Sequence, residues 1–362
     1  MTRKEFVRLC GILGIGIPVH GVLSGYKKNR SPIKKVIIIG AGAGGLSAGY
    51  LLKQKGIDFE ILEASSVYGG RMKISTGFAD FPIPLGAEWI ETGLGIFNEI
   101  VNDGSVQLAL KTIADKPDRK FVNYSWFNFF EDHVVPSISA RLKFNTIVES
   151  IDYQGDDIVV TTQNGQRIAD KVIVSVPLKI LQDGDINFLP ALPQEKRNVI
   201  AGIKVWEGFK AFFEFTDHFF DDMEFEINPE TDGEKLYYDA ALGQNSSKNI
   251  LGLFAVGTPA LNYASLSGDN LRDYILAELD GFYNGQATQK YVKHIVQNWN
   301  NEPYIRGGYM TDHADYKQVA TLGESIKDKV YFAGGAYTDG EDWVSVHAAA
   351  RSARVAIDKM TD

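Results

Sequence analysis

The sequence predicts an α/β protein: a doubly wound domain around a parallel sheet, with a second α+β domain of mixed sheet and helices inserted into it. Three observations carry this prediction. An all-aliphatic run, Val36-Ile37-Ile38-Ile39, leads through the glycines of Gly40–Gly45 into a stretch with helical spacing, the layout of a strand–turn–helix unit. A second aliphatic run near the other end, Lys329 to Ala333, also enters glycines and is followed by a helix-patterned stretch, Val344 to Met360. Between them, Ile186 to His294 mixes strand and helix patterns. The first domain therefore comprises 33–92, 137–182 and 322–362, the inserted domain 93–136 and 183–321, and residues 1–31 form a leader and linker.

Element by element, Lys34-Lys35 approach a strand rich in β-branched residues, the composition of a parallel strand buried on both faces. Leu46 to Lys55 has helical spacing and ends at Gly56, and Asp58 to Glu63 reads as the next strand. Leu142 to Ile151 and Asp157 to Thr162 read as strands, with Asn164-Gly165 as a hairpin turn. Lys171 to Val176 is an aliphatic strand closed by Pro177. In the inserted domain, Ala211 to Phe215 reads as a strand and Asn270 to Phe282 as a helix.

Gly40, Gly42 and Gly45 form G-x-G-x-x-G between strand and helix, with Ala43 and Gly44 inside the motif. Gly40 allows the tight turn, Gly42 the approach of a pyrophosphate, and Gly45 close helix–strand packing, so that the helix N-terminus faces phosphate. Glu63, at the end of the second strand, is placed to accept hydrogen bonds from ribose hydroxyls. Together these predict a Rossmann-type dinucleotide site.

The residues that follow, Glu63-Ala64 and then Gly69-Gly70-Arg71-Met72, resemble the flavin-containing amine oxidases, a family of monoamine oxidases, polyamine oxidases and histone-demethylase relatives. Further blocks carry the resemblance through nearly everything after residue 33. They are Gly86-Ala87-Glu88-Trp89, Val148, Val174-Ser175-Val176-Pro177, Trp299 with Tyr304 and Arg306-Gly307-Gly308-Tyr309, and Phe332-Ala333-Gly334 with Val346-His347. The resemblance implies an FAD-binding Rossmann-type domain in which Arg71 and the glycine pair hold the cofactor. Gly86, Ala87, Glu88, Trp89, Val148, Pro177, Trp299, Tyr304, Gly334, Gly335, Ser345 and Val346 are implied around it.

The implied activity is oxidation of an amine, a polyamine among the candidates, to an imine with release of hydrogen peroxide, and the implied partners are a small amine and molecular oxygen. The family carries a lysine bound through water to the flavin N5. Lys210, in Gly208-Phe209-Lys210-Ala211-Phe212-Phe213, is its match, with Lys204 as the alternative. Glu91 falls where polyamine-type members place a substrate-pairing residue, and Tyr309 where an aromatic guides the amine. His347 reads as a structural residue of the closing motif. An L-amino-acid oxidase is the rival within enzymes, with Arg306 as a candidate grip on a carboxylate; a flavin-binding protein without turnover is the rival outside them.

Three departures from the family pattern matter. Gly335 stands where the family has Glu, with Asp339 or Glu341 as substitutes. Ser345 or Val346 stands where a second aromatic is usual. Only about fifty residues separate Trp89 from Leu142, which predicts a shorter, more open funnel suited to an extended or bulky amine.

The 362-residue chain is 44% hydrophobic and 23% charged, with a net charge of −9, which argues against nucleic acid as a partner. Basic residues concentrate at the start. Arg3, Lys4 and Arg8 precede an uncharged run from Leu9 to Leu23, the layout of a signal peptide. Thr2 to Arg8 resembles a twin-arginine export signal with Lys4 in place of the second arginine, implying a periplasmic protein. The one cysteine, Cys10, lies in this run. The histidines lack metal-ligand spacing, and no metal is assigned.

Overall fold

Val36 and Ile38 point to one face of the first strand, Lys35–Ile39, and Ile37 and Ile39 to the other; each side joins a different hydrophobic core. This period of two, with both faces apolar, is what a strand at the centre of a covered parallel sheet requires. The computed structural model describes residues 32–112, 118–226 and 232–362, with backbone alone for 223–226. The expected export segment and Cys10 lie outside the described residues. Ile33–Asp362 form one compact unit.

The parallel sheet has the order Val330–Phe332, Lys171–Val174, Lys35–Ile39, Asp58–Leu62, Leu142–Lys143. On one face the helix Ala43–Gln54 packs with the closing helix Val346–Thr361, burying Leu46, Leu52, Ala353 and Ile357 against Val36, Ile38 and Ile61. Each of the leucine and isoleucine side chains contributes on the order of 1.5–3 kcal/mol through burial. Segment 93–136, assigned from the sequence to the inserted domain, places Ile96, Phe97, Trp126 and Phe129 in this same core. The other face is covered by residues of a four-stranded sheet, including Val148, Ile151 and Val160, and by helix residues such as Ile200 and Leu322.

Two expected boundaries shift. Leu142 to Ile151 is not one strand: Leu142–Lys143 joins the parallel sheet and Val148–Asp152 the four-stranded one. The break falls at Asn145, whose φ of +50° turns the chain, and the Thr146 amide donates to the Glu63 carbonyl beyond it. The closing helix starts at Val346, not Val344. Val344 has a φ of +67°, and the Ser345 hydroxyl caps the helix by accepting from the Ala348 amide.

The third sheet runs Met223–Glu226, Gly233–Asp239, Asn249–Gly257, Gly208–Phe215, Tyr291–Asn298, and all its pairings are antiparallel. Gly208–Phe215 is fully buried. Phe209, Ala211, Phe213 and Phe215 face a core shared with the helices Thr258–Ala264 and Gly268–Phe282. Alternation sends Lys210 to the opposite face with Phe212, which packs against Phe81, Ile83 and Leu85. That face is where the third sheet meets the chain around residues 84–89.

Candidate functional site

A cavity of about 970 Å³ runs from the carboxyl end of the parallel sheet to the Lys210 face of the third sheet. It is at the upper end of the roughly 300–1,000 Å³ typical of ligand sites. Its first end is the glycine turn. Gly40 has a φ of +101°, and a Cβ there would lie 2.7 Å from the Ser175 carbonyl oxygen. A Cβ on Gly42 would meet no protein atom within 4 Å, because Gly42 faces the cavity itself. Gly45 does not line the cavity; its Cβ would fall 1.9 Å from the Gly40 carbonyl oxygen, so it serves the packing of helix on strand. The helix Ala43–Gln54 has no acidic residue in its first turn and no side-chain cap, which leaves amides and the positive end of the helix dipole to an anion.

Glu63 lines this end. Its carboxylate accepts from the Ala41 amide at 2.7 Å and the Ser65 amide at 2.8 Å. Burial raises its pKa, and these amide hydrogen bonds oppose the rise. Ala64, Val148 and Pro177 complete the walls here.

Contacts then step along the cavity. Gly70, with a φ of +53°, would bring a Cβ within 3.4 Å of Gly42. Arg71 follows it, and its Nη1 donates to the Gly308 carbonyl at 2.6 Å. Burial lowers its pKa, with Tyr337 and Tyr309 opposing the shift. No carboxylate pairs with Arg71 among the described residues, so a half-buried guanidinium faces the cavity without an anion of its own. A Cβ on Gly86 would sit 1.9 Å from the Arg71 carbonyl oxygen and 2.9 Å from the Trp299 ring. Trp299 is fixed by its indole N–H donating to the Leu85 carbonyl at 3.0 Å. Lys210 reaches the carbonyl of Gly86, which closes the sequence of contacts from Gly42 to Lys210.

At this far end Lys210 is nearly inaccessible. Its Nζ donates to Glu88 at 2.7 Å, the Pro84 carbonyl at 2.9 Å and the Gly86 carbonyl at 3.2 Å. Three acceptors for three N–H donors is the complement of an ammonium; a neutral amine would set its lone pair against an acceptor. Burial pulls the Lys210 pKa down, and Glu88 holds it up. Burial likewise pushes Glu88 upward, but Lys210 and Lys120 outweigh it and leave that carboxyl below its ordinary value. All three donors are met by protein acceptors. Leu236, Phe254 and Lys210 are in register across three strands and line the cavity together.

Tyr309 and Glu91 line the same end. Burial, then the charges of Glu234 and Glu91, hold the Tyr309 hydroxyl well above its ordinary pKa. Glu91 is exposed at the cavity, and its pKa is raised, first by desolvation of its carboxyl and then by Asp118, with His347 opposing. Met72, Ala87, Trp89, Tyr304, Gly334, Gly335, Ser345 and Val346 also line the cavity, as do Ala43 and Gly44.

Other sequence candidates lie elsewhere. Lys204 pairs with Asp232 at 2.6 Å on the surface. Asp339 and Glu341 are exposed and do not line the cavity, so neither replaces the carboxylate lost at Gly335. Arg306 is held by Asp183 at 2.9 Å and Asp185 at 2.7 Å, outside the cavity. His347 is buried, with Nε2 2.8 Å from Asp342. Residues that sequence reasoning missed include Asp118, Glu234 and Tyr337 on the lining and Lys120 and Tyr238 behind it. No local motif marks them; each comes to the site through long-range packing.

The fold and cavity define a dinucleotide-binding flavoprotein of two joined halves. Residues 38–102 match the NAD(P)-binding Rossmann-like domain, and residues 131–358 match the flavin containing amine oxidoreductase family. The chain belongs to the flavin containing amine oxidoreductase family, a class of flavin-dependent enzymes whose cofactor here is FAD. Human lysine-specific histone demethylase 2 is 22% identical over 420 residues, covering 85% of this chain and 50% of that protein. Mouse lysine-specific histone demethylase 1B is 27% identical over 184 residues, covering 49% of this chain and 22% of the relative. The chain thus matches half or less of the length of these demethylases. Polyamine oxidase 2 of Arabidopsis thaliana is 22% identical, with 79% of each chain covered. The solved structure of a putrescine oxidase bound to putrescine superposes with a TM-score of 0.73 at 14% identity, covering 91% of this chain and 99% of that one. That likeness is one of fold.

Proposed function

We propose that the protein oxidises a cationic amine of the di- or polyamine type to an imine, which water converts to an aldehyde, with oxygen as electron acceptor and hydrogen peroxide as product. The observation that carries this reading is the chemistry of the cavity's far end, where the carboxylates of Glu91 and Asp118 accompany the Tyr309 ring. Of the cationic residues of the lining, Lys73 is paired with Glu302 and Lys210 with Glu88, and Arg71, which donates to the Gly308 carbonyl and has no carboxylate of its own among the described residues, is left for the cofactor phosphates. The polar surface at that end therefore suits an ammonium and not a carboxylate. Arg306, the candidate grip on a substrate carboxylate, is committed to Asp183 and Asp185.

The residues fit FAD. The open space at Gly42, the uncapped helix N-terminus and the unpaired Arg71 would hold the pyrophosphate, and Glu63 the ribose hydroxyls. The end walled by Trp89, Trp299, Tyr309 and Lys210 is left for the ring. When bound, FAD supplies the two-electron acceptor for the C–H bond beside the amine nitrogen. Glu91 pairs with a distal ammonium and sets how far the substrate enters. Tyr309, held protonated, presents a neutral ring face to the reacting amine. The Lys210 ammonium offers a fixed positive charge where negative charge accumulates on reduction.

The test is an oxygen-consumption and peroxide assay with polyamines, monoamines and L-amino acids offered separately. Consumption with di- or polyamines and matching peroxide supports the reading. Turnover confined to L-amino acids would overturn it. The basic start and apolar run of residues 3–23 support export by a twin-arginine-like signal, checked by fractionating cells that express the tagged chain.

A further inference from the structure

Two lysines from different parts of the chain converge on one buried carboxylate. Lys210, on the strand Gly208–Phe215, lies 2.7 Å from Glu88 Oε2. Lys120, on the strand Arg119–Phe121, lies 3.4 Å from Glu88 Oε1. The Tyr238 hydroxyl donates to Oε2 at 2.5 Å. All four side chains are almost wholly buried: Glu88 is 6% exposed, Lys120 4%, Lys210 2% and Tyr238 2%. Among the described residues, Glu88 is the one carboxylate within ion-pairing distance of either ammonium.

Lys120, like Lys210, has three oxygen neighbours: Glu88 and the carbonyls of Asp239 at 3.4 Å and Ala240 at 3.1 Å. Its Nζ also lies 5.4 Å from the centre of the Tyr238 ring, a favourable place for a cation. Three oxygen acceptors surround each Nζ, and the cluster sets two lysine side chains against one carboxylate. Carbonyl dipoles and ring faces offset part of the excess. Buried charge of this kind is costly unless structure over-determines it, and a Lys210–Glu88 pair alone would have been neutral.

We propose that Lys120 is a positioning residue for the redox site: through Glu88 it leaves Lys210 with a positive charge that is not cancelled, and so raises the affinity of the flavin for electrons. The inference rests on the reading that places the flavin ring at the Lys210 end of the cavity. Lys120 itself does not line the cavity; its field reaches the ring through the wall formed by Glu88, Trp89 and Lys210. With Lys120 absent, Glu88 and Lys210 become a self-compensating pair. With Glu88 made neutral, both ammonium charges go uncompensated.

The proposal therefore predicts opposite signs for two changes at one cluster, which damage to packing would not produce. The measurement is the midpoint potential of bound FAD in the purified holoenzyme. K120M is expected to lower it by about 30 mV or more, the equivalent of about a tenfold loss in the two-electron reduction equilibrium. E88Q is expected to raise it, and K120R, which keeps the charge, to leave it near the wild-type value. Shifts of the same sign in K120M and E88Q, or no shift in both, would overturn the proposal. Should K120M fail to retain FAD, E88Q decides alone: a raised potential supports the account and a lowered or unchanged one overturns it. The potential is read without any amine, so failure of the proposed substrate class leaves this test intact.

Discussion

The Arg71 guanidinium donates to the carbonyl of Gly308 at 2.6 Å across a separation of 237 residues. That bond ties the nucleotide-binding half of the molecule to the loop that carries Tyr309. It also fixes a half-buried cation on the cavity wall with no carboxylate beside it among the described residues. Arg71→Ala is expected to weaken FAD binding by about 2–5 kcal/mol, about 30-fold or more, because the anion it faces would lose a desolvated charge-assisted partner. The check is the FAD dissociation constant from fluorescence recovery; affinity within twofold of wild type would remove Arg71 from the cofactor site.

Two neighbouring glycines should respond differently to alanine. At Gly45 the added Cβ falls 1.9 Å from the Gly40 carbonyl oxygen, so Gly45→Ala must displace strand or helix and should destabilise the apoprotein by at least about 1–3 kcal/mol. At Gly42 the Cβ meets no protein atom, so Gly42→Ala should leave apoprotein stability unchanged and weaken FAD binding. Chemical unfolding of apoprotein, paired with FAD titration, separates the two effects.

The nucleotide half was legible in the sequence because its signals are local. The aliphatic run 36–39, the glycine spacing and Glu63 are neighbours in sequence and in space, and alternation along Gly208–Phe215 places Lys210 on one face. What that face meets was not legible. Glu88 and Lys210 are 122 residues apart, and nothing near Lys120 or Tyr238 marks them as sharing that carboxylate. The same reason explains Arg306, whose block resembles the family but whose side chain is captured by Asp183 and Asp185, far away in sequence. The break at Asn145 escaped notice because the residues on both sides have strand composition, while the turn depends on one left-handed residue.

Lys210→Met should remove the charge but keep a long apolar stem. Glu88 would keep Lys120 and Tyr238 as partners, so the stability loss should fall near the lower end of the range for breaking a buried pair, about 3 kcal/mol. FAD should remain bound, and reoxidation of the reduced enzyme by oxygen should slow by about tenfold or more, because a charge beside the developing anion is lost. Stopped-flow reoxidation is the check, and an unchanged rate would end the assigned role.

Glu91 gives the pH dependence. Partial desolvation and the charge of Asp118 raise the pKa of this exposed residue from the ordinary 4.5, and it pairs with an ammonium only when ionised. The KM for a diamine should therefore fall as pH rises through the range just above that of an ordinary carboxylate, while the KM for a matched monoamine stays flat across it. Glu91→Gln should abolish the difference and raise the diamine KM more than the monoamine KM. Parallel profiles for both substrates in the wild type would contradict the pairing.

The central claim, that this cavity oxidises a cationic amine with FAD, is tested most directly by anaerobic mixing of the FAD-loaded protein with a diamine while the flavin absorbance is followed. The account predicts bleaching of the oxidised flavin band by the diamine, faster than by a monoamine of equal length, and recovery of the band with peroxide formation when air is admitted. A fully FAD-loaded protein that no amine bleaches would contradict it.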